Sequence, residues 1–127
     1  MYNAFGKPAL SPEFASRLTF NLSHSADLAL IAVAAGADIG VDLEHIRTQP
    51  DFAEIARYFF SAAEVDRLNG LPSRLQAHAF LSCWTKREAY VKASGEGLAN
   101  TPSARDGRWS LYSLQPAPGY IGALVVA

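Results

Sequence analysis

The sequence predicts a single α+β domain in which an antiparallel sheet packs against about three helices. The chain has 127 residues and half of them are hydrophobic, which is enough for one core and short for two. Both ends of the chain contain short apolar runs bounded by turn residues, whereas the middle repeats its apolar residues at helical spacing. Strands that are grouped apart from helices are typical of an antiparallel sheet covered by helices.

The N-terminal third of the chain is expected to contain a loop and three strands. Gly6-Lys7-Pro8 predicts the loop, and residues 18–21 predict a short strand that is followed by the polar residues 23–25. Residues 28–34 form a continuous apolar run, and residues 39–44 resume an extended pattern after a short turn. Because that turn is short, we expect the last two strands to form a hairpin.

The middle of the chain predicts two short helices and one long helix. Phe52, Ile55 and Phe59 recur at helical spacing, and Ser61 with Glu64 then forms a capping-box pattern ahead of the second helix. Residues 73–94 predict the long helix, with cap chemistry from Ser73 and Gln76 at its start and Gly95 at its end. Residues 109–114 and 120–126 are then expected to form a closing hairpin.

Composition excludes several classes of protein. A net charge of −1 and a pI near 6.3 give no basic surplus for nucleic acid. The single cysteine, Cys83, cannot form an internal disulfide, so we expect a reducing compartment, the cytoplasm. The longest apolar run, residues 28–37, is too short to span a bilayer, and we expect no membrane partner.

Three acidic residues predict a magnesium site. Asp42 and Glu44 alternate with apolar residues in a strand pattern, so their side chains project from the same face. Glu88 lies in the long helix beside Trp84. Paired carboxylates repel each other, and a hard divalent cation with oxygen ligands relieves that repulsion. The alternative is that Asp42 and Glu44 belong to the solvated face of an edge strand.

Other polar residues have both a functional and a structural interpretation. Lys92 could bind a phosphate oxygen beside the cation, or form an ordinary helical ion pair with Glu88. Glu64 could be catalytic, or could serve only as the capping-box acid. His24, between two serines, could bind phosphate or be a loop histidine with satisfied hydrogen bonds. The residues alone leave these alternatives open.

Five motifs in order resemble the 4′-phosphopantetheinyl transferases of the surfactin-synthetase-activating type. They are Gly6-Lys7-Pro8, Phe20-Asn-Leu-Ser-His-Ser25, Gly40-Val-Asp-Leu-Glu44, Phe59-Phe-Ser-Ala-Ala-Glu64, and Trp84-Thr-Lys-Arg-Glu-Ala-Tyr-Val-Lys92 with Gly95-Glu-Gly-Leu98. Each motif is modest evidence, but five in sequence are specific. Members of this type are usually about twice as long and built from two similar lobes. Residues 1–127 therefore resemble a single lobe, the second, with residues 1–25 as the end of the first lobe and a linker.

The resemblance implies an enzyme of the holo-[acyl-carrier-protein] synthase kind. It would transfer 4′-phosphopantetheine from coenzyme A to a serine of an apo acyl or peptidyl carrier protein, with Mg²⁺ as cofactor. The implied metal ligands are Asp42, Glu44 and Glu88. The implied catalytic residues are Asp42, Glu64, Glu88 and Lys92, with Glu64 as general base. The implied coenzyme A contacts are Gly6, Lys7, Pro8, Ser23, His24 and Lys92.

The short length of the chain leads to two further expectations. Half of a two-lobe cleft would expose an apolar surface, so we expect a homo-oligomer, as in the related short synthases that complete their sites between subunits. The alternative function is a truncated module that binds coenzyme A or a carrier protein with little or no turnover. Metal-dependent phosphodiester hydrolysis ranks last, because it leaves the Gly6-Lys7-Pro8 and Ser23-His24-Ser25 elements unexplained.

Overall fold

A computed structural model describes residues 17–95 and 108–127 and confirms the α+β class. Five strands and three helices appear in these described ranges in the predicted order, with bounds that mostly fall within one or two residues of expectation. In chain order they are β1 (Leu18–Ser25), β2 (Leu28–Ala35), β3 (Ile39–His45), α1 (Phe52–Phe59), α2 (Ala62–Asn69), α3 (Ser73–Ser94), β4 (Ser110–Leu114) and β5 (Tyr120–Val126).

The strands form two antiparallel sheets, and the predicted hairpin of β2 with β3 is wrong. β2 instead pairs with β1 along its whole length, from Ser25 opposite Leu28 to Leu18 opposite Ala35. A two-residue turn joins them, with Ala26 at a φ of 50°. β3 pairs with β5, which in turn pairs with β4, so the second sheet has the order β3-β5-β4. The last pairing confirms the predicted closing hairpin.

β1 is the strand that departs most from its predicted length. The polar residues 23–25 were expected to follow the strand, but they belong to it. Residues 18–25, assigned from the resemblance to the end of another lobe, thus form one hairpin with β2 and contact β3. Residues 1–16 and 96–107 lie outside the described part of the chain.

Both faces of β3 are buried, whereas only one was expected to enter the core. Ile39, Val41 and Leu43 on one face are at most 5% exposed, and Asp42 on the other face is 6% exposed. The face that carries Asp42 lies against α3 and continues onto β5 through Ala123, which is opposite Asp42. The predicted alternation is therefore right, but the acidic face is covered by a helix.

Gly40 is the reason that α3 can lie so close to β3. A Cβ atom on Gly40 would stand 2.1 Å from the carbonyl oxygen of Ala89 and 2.4 Å from the amide nitrogen of Ala93. The helix therefore offers alanines, spaced by four residues, where it crosses the strand. This crossing places the last turns of α3, which carry Glu88 and Lys92, over the middle of β3.

Helix ends follow the predicted chemistry except at the start of α3. Ser61 and Glu64 form the capping box of α2, and Gly95 ends α3 at a φ of 70°. The residue preceding α3 is Pro72, without a side-chain cap, and Gln76 donates to the Leu71 carbonyl oxygen instead. Aromatic side chains pack α1 onto α3, where the Phe52 and Phe80 rings stack 4.1 Å apart. Among the described helices, none is long and apolar enough to cross a membrane.

Candidate active site

Asp42 is a buried carboxylate at the centre of the predicted acidic cluster. Its Oδ1 atom accepts hydrogen bonds from Lys92 Nζ at 3.1 Å and from Ser23 Oγ at 3.3 Å. Its Oδ2 atom is buried and has no hydrogen-bond partner among the described residues. A buried carboxylate oxygen without a donor is costly. This atom is therefore the part of the site that a ligand could satisfy.

Lys92 joins α3 to β3 at this point. Its Nζ atom donates to the Val41 carbonyl oxygen at 3.0 Å as well as to Asp42. In the ion pair the Asp42 side chain is 8% exposed and the Lys92 side chain 29% exposed. The ammonium group is thus held at the edge of the buried site by Val41 and Asp42.

Burial and repulsion from neighbouring carboxylates raise the pKa values of Asp42 and Glu88. Burial raises the pKa of Asp42 to about 6, with a further increase from Glu44, against the opposing effect of Lys92. Burial also raises the pKa of Glu88, and the neighbouring Asp42 raises it further. The Asp42 charge thus acts on Glu88 across the interface between β3 and α3. Lys92 offsets this repulsion only in part.

The described residues fit a divalent cation in part. Within residues 17–95 and 108–127, no three acidic, histidine or cysteine side chains are close enough together to hold a metal ion as they stand. Glu44 is bound by Arg47, with 2.9 Å between Oε2 and the guanidinium Nη1 atom. Even so, Asp42 Oδ2, which has no hydrogen-bond partner among the described residues, and the neighbouring Glu88 carboxylate offer what a hard cation binds: oxygen donors and negative charge.

The stability of the chain without metal should fall as pH rises through the titration of Asp42. The folded pKa of about 6 lies above the ordinary value of 3.8, so the folded state holds a proton that the unfolded state has lost between these pH values. Ionising Asp42 in the folded state therefore lowers the free energy of unfolding. This loss is absent below about pH 4, is complete above about pH 6, and reaches up to about 3 kcal/mol. We expect Asp42→Asn to reduce the pH dependence in urea unfolding with EDTA between pH 4 and 7, and to leave the part that is due to the raised pKa of Glu88. If the free energy of unfolding changes with pH in the same way in the wild-type protein and in Asp42→Asn, the Asp42 carboxylate is not buried as described.

Side chains of β1 occupy the free edge of β3. The amide groups of Val41, Leu43 and His45 donate to Asn21 Oδ1 at 2.9 Å, to Ser23 Oγ at 3.0 Å and to Ser25 Oγ at 2.9 Å, respectively. The polar residues are two apart, as are the amides that point to this edge of β3. The period-two pattern of Asn21, Ser23 and Ser25 is the signal in the sequence from which these contacts could have been predicted.

The side chains of Ser23 and His24 point to opposite faces of β1, although both were predicted to contact phosphate. The Ser23 hydroxyl points inward and Ser23 is 6% exposed, whereas His24 lies on the outward face of β1 and is exposed. This separation follows from the strand itself, because successive side chains point to opposite faces.

Glu64 lies in the capping box that the sequence predicted. Its Oε1 atom accepts from the Ser61 amide at 3.2 Å and from the Ser61 hydroxyl at 3.0 Å. It also lies beside Cys83, where burial and the Glu64 charge raise the pKa of the thiol. Glu64 therefore has a structural role, and its predicted role as general base stays a prediction. Gly6, Lys7 and Pro8 lie outside the described residues.

A cavity of about 390 Å³ lies among the helices, apart from the acidic residues. Its lining includes Phe52 and Arg57 of α1, Leu68 of α2 and Phe80 of α3. No residue predicted for the site contributes to it. The chemistry of Asp42, Glu88 and Lys92 is therefore separate from this cavity.

Comparison with known proteins identifies the family of this chain. The profile of the 4′-phosphopantetheinyl transferase superfamily matches residues 38–117, which include Asp42, Glu44, Glu64, Glu88 and Lys92. The chain is 39% identical to the 4′-phosphopantetheinyl transferase HetI of Nostoc sp. (strain PCC 7120), over 99% of this chain and 59% of that protein.

Two further relatives match a shorter part of the chain. The 4′-phosphopantetheinyl transferase AcpT of Escherichia coli (strain K12) is 35% identical over 75% of this chain and 48% of its own length. The transferase psf-1 of Bacillus pumilus is 38% identical over 74% of this chain and 38% of its own length. The chain thus spans between 38% and 59% of the length of these relatives. From the match over residues 38–117, the chain belongs to the 4′-phosphopantetheinyl transferase superfamily.

Proposed function

We propose that the protein transfers 4′-phosphopantetheine from coenzyme A to a serine hydroxyl of an acyl or peptidyl carrier protein. In this reaction a bond forms between the serine oxygen and the phosphorus that carries pantetheine. The bond from that phosphorus to the departing adenosine 3′,5′-bisphosphate breaks, and the serine proton passes to a base. The observation that carries the proposal is the buried Asp42, bonded to Lys92 and coupled to Glu88, in a chain of this superfamily.

We infer that Mg²⁺ is the cofactor and that Asp42, Glu44 and Glu88 hold it. Asp42 Oδ2, without a hydrogen-bond partner in residues 17–95 and 108–127, supports this inference, as does the repulsion of Glu88 by Asp42. When bound, the cation neutralises charge on the diphosphate of coenzyme A. Lys92, which is held against Asp42, would add a positive charge at this site, and displacement at phosphorus depends on positioning and charge neutralisation.

The remaining site residues are proposed from the resemblance. We propose Glu64 as the general base for the incoming serine, at a position where it also caps α2. His24 is exposed and so accessible to a phosphate group. Gly6, Lys7 and Pro8 are proposed to contact the adenine side of coenzyme A. The motif order further supports the surfactin-synthetase-activating type, and the single cysteine supports a cytoplasmic location.

The alternative function stays a module that binds coenzyme A or a carrier protein with little or no turnover.

One experiment separates these functions. The protein is incubated with coenzyme A, Mg²⁺ and an apo carrier protein, and the intact mass of the carrier is measured, with EDTA in place of Mg²⁺ as control. Addition of the phosphopantetheine mass only with Mg²⁺ supports the transferase. Binding of coenzyme A without modification of the carrier supports the binding module. Release of adenosine bisphosphate without any carrier indicates hydrolysis.

We also infer that the chain associates with a second copy of itself through the outward face of the β1–β2 hairpin. This face exposes Leu18, Leu22, Ile31 and Val33, of which Ile31 is 73% and Val33 60% exposed. Leu22 lies opposite Ile31, so these side chains form a continuous patch. The residues that point outward from β1 and β2 include no acidic, lysine or arginine side chain, so two copies related by a twofold axis can meet without charge repulsion.

Substituting Ile31→Glu should therefore shift the protein toward monomer. A charge at the centre of an apolar contact is left without a partner on association, which costs several kcal/mol of binding free energy. Sedimentation at micromolar concentration measures the effect, and Tyr58→Glu, at a 78% exposed residue of α1, is the control. A wild-type protein that sediments only as monomer would rule out self-association through this face.

A further inference from the structure

The Ser23 hydroxyl bonds both to the backbone of β3 and to the candidate catalytic carboxylate. The Leu43 amide donates to Ser23 Oγ at 3.0 Å, and Ser23 Oγ donates to Asp42 Oδ1 at 3.3 Å. A serine hydroxyl has a single hydrogen to donate. That hydrogen is used on Asp42, inside the protein.

The two donors on Asp42 Oδ1 fix the orientation of the carboxylate. Ser23 reaches this oxygen from β1, and Lys92 reaches it from α3. With Oδ1 held from two elements, rotation about the Asp42 side chain would break both bonds. The oxygen that is left for a ligand is therefore Oδ2, the buried atom without a hydrogen-bond partner among the described residues.

The neighbouring residues of β1 show that capping the β3 edge does not require contact with Asp42. Asn21 accepts from the Val41 amide, and Ser25 accepts from the His45 amide at 2.9 Å. Within the described part of the chain, neither side chain hydrogen-bonds the Asp42 carboxylate, and Ser25 is chemically identical to Ser23. The pair Ser23 and Ser25 thus separates the backbone role from the contact with Asp42.

We propose that Ser23 is a positioning residue that orients Asp42 so that Oδ2 faces the divalent cation of the reaction. The inference rests on the proposed function and deepens it. It gives Ser23 a role through Asp42, in place of the phosphate contact implied by the resemblance. Side chains that orient metal ligands commonly change metal affinity by about tenfold to a hundredfold when removed.

The test compares Ser23→Ala with Ser25→Ala in the full chain. Binding of Mn²⁺ in the presence of coenzyme A is measured by electron paramagnetic resonance, and binding of adenosine 3′,5′-bisphosphate without metal is measured by calorimetry. We expect Ser23→Ala to weaken Mn²⁺ binding about tenfold or more and Ser25→Ala to change it less than about twofold. Ser23→Thr, which keeps the hydroxyl, should restore most of the affinity.

Three outcomes overturn the proposal. Equal loss of Mn²⁺ affinity in both alanine variants would show that the hydroxyl serves only the backbone of β3. If Ser23→Ala loses affinity for adenosine bisphosphate while its Mn²⁺ affinity is unchanged, Ser23 contacts the phosphate, as the resemblance implies. If the wild-type protein does not bind Mn²⁺, there is no cation for Asp42 Oδ2 to face. If Ser23→Ala does not fold, Ser23→Cys keeps the volume with a poorer donor, and it must show the same loss of Mn²⁺ affinity.

The carrier assay on the same preparations keeps the two proposals apart. Transfer by the wild-type protein, with identical Mn²⁺ affinity in Ser23→Ala and Ser25→Ala, refutes the role of Ser23 and leaves the transferase in place. A selective loss of Mn²⁺ affinity in Ser23→Ala, in a protein that transfers nothing, supports the role of Ser23 and refutes the transferase.

Discussion

Asp42→Asn is expected to lower the rate of phosphopantetheine transfer by about a thousandfold or more while the chain stays folded. Asparagine has the same shape, and its side-chain oxygen can still accept the hydrogen bonds that Lys92 and Ser23 donate to Oδ1. It replaces the charged, partnerless Oδ2 by an amide group, which cannot serve a cation as a carboxylate does. The measurement is the initial rate of carrier modification with coenzyme A and Mg²⁺, followed by intact mass.

Asp38→Asn is the matched control for this prediction. Asp38 is the acid just before β3, with a side chain 48% exposed and a distance of 3.6 Å to Arg108. The same change of charge at this exposed residue should leave the rate within about twofold, because exposed ion pairs contribute little. A rate for Asp42→Asn within tenfold of wild type, with unchanged circular dichroism, would show that the acidic cluster does not support transfer.

The position of Asp42 and Glu44 on one face could be predicted because it is a local property of a strand. Alternation with a period of two fixes which side chains share a face, whatever the strand pairs with. The partner of β3 could not be predicted in this way. It is β5, about 80 residues away in the sequence, and the short turn after β2 favoured a hairpin that does not form. Pairing between distant strands depends on packing that a local pattern does not contain.

The packing of α3 over the acidic face of β3 also depends on non-local contacts, although the sequence contains the small residues that permit it. Gly40 lies next to Val41 in β3, and Ala89 and Ala93 are spaced by four residues in α3. Small residues on two elements permit a close approach, but only the fold shows that these elements are the ones that meet. The buried environment of Asp42, and with it the raised pKa, follows from that approach.

Glu64 shows the opposite situation, in which a local pattern was sufficient for structure and insufficient for function. The capping box predicted from Ser61 and Glu64 is present, with both of its hydrogen bonds. The same residue falls at the position that the resemblance implies for a general base. A carboxylate that caps a helix still has lone pairs for a second partner, so the geometry of the cap leaves the catalytic role open to mutagenesis.

Gly40→Ala is expected to destabilise the protein by about 3 kcal/mol, which lowers the unfolding midpoint by about 10 °C. The new Cβ atom would stand 2.1 Å from the Ala89 carbonyl oxygen and 2.4 Å from the Ala93 amide nitrogen. Both atoms belong to the backbone of α3, so no flexible side chain can move aside. The helix must shift away from β3, and that shift separates Lys92 and Glu88 from Asp42. Transfer should therefore fall even in the molecules that remain folded.

Gly70→Ala provides the matched control, since Gly70 has a φ of −80° at the end of α2. A Cβ atom there would lie 3.5 Å from the nearest atom, the Asp66 carbonyl oxygen, which is an ordinary contact. Restricting the unfolded chain at such a residue stabilises a protein by about 0.4–1 kcal/mol. Thermal unfolding followed by circular dichroism compares the two variants. If Gly40→Ala and Gly70→Ala unfold within 2 °C of each other, roughly half a kcal/mol, then α3 does not rest on β3 at Gly40. In that case the close packing that buries Asp42 beside Lys92 is not the arrangement of the protein in solution.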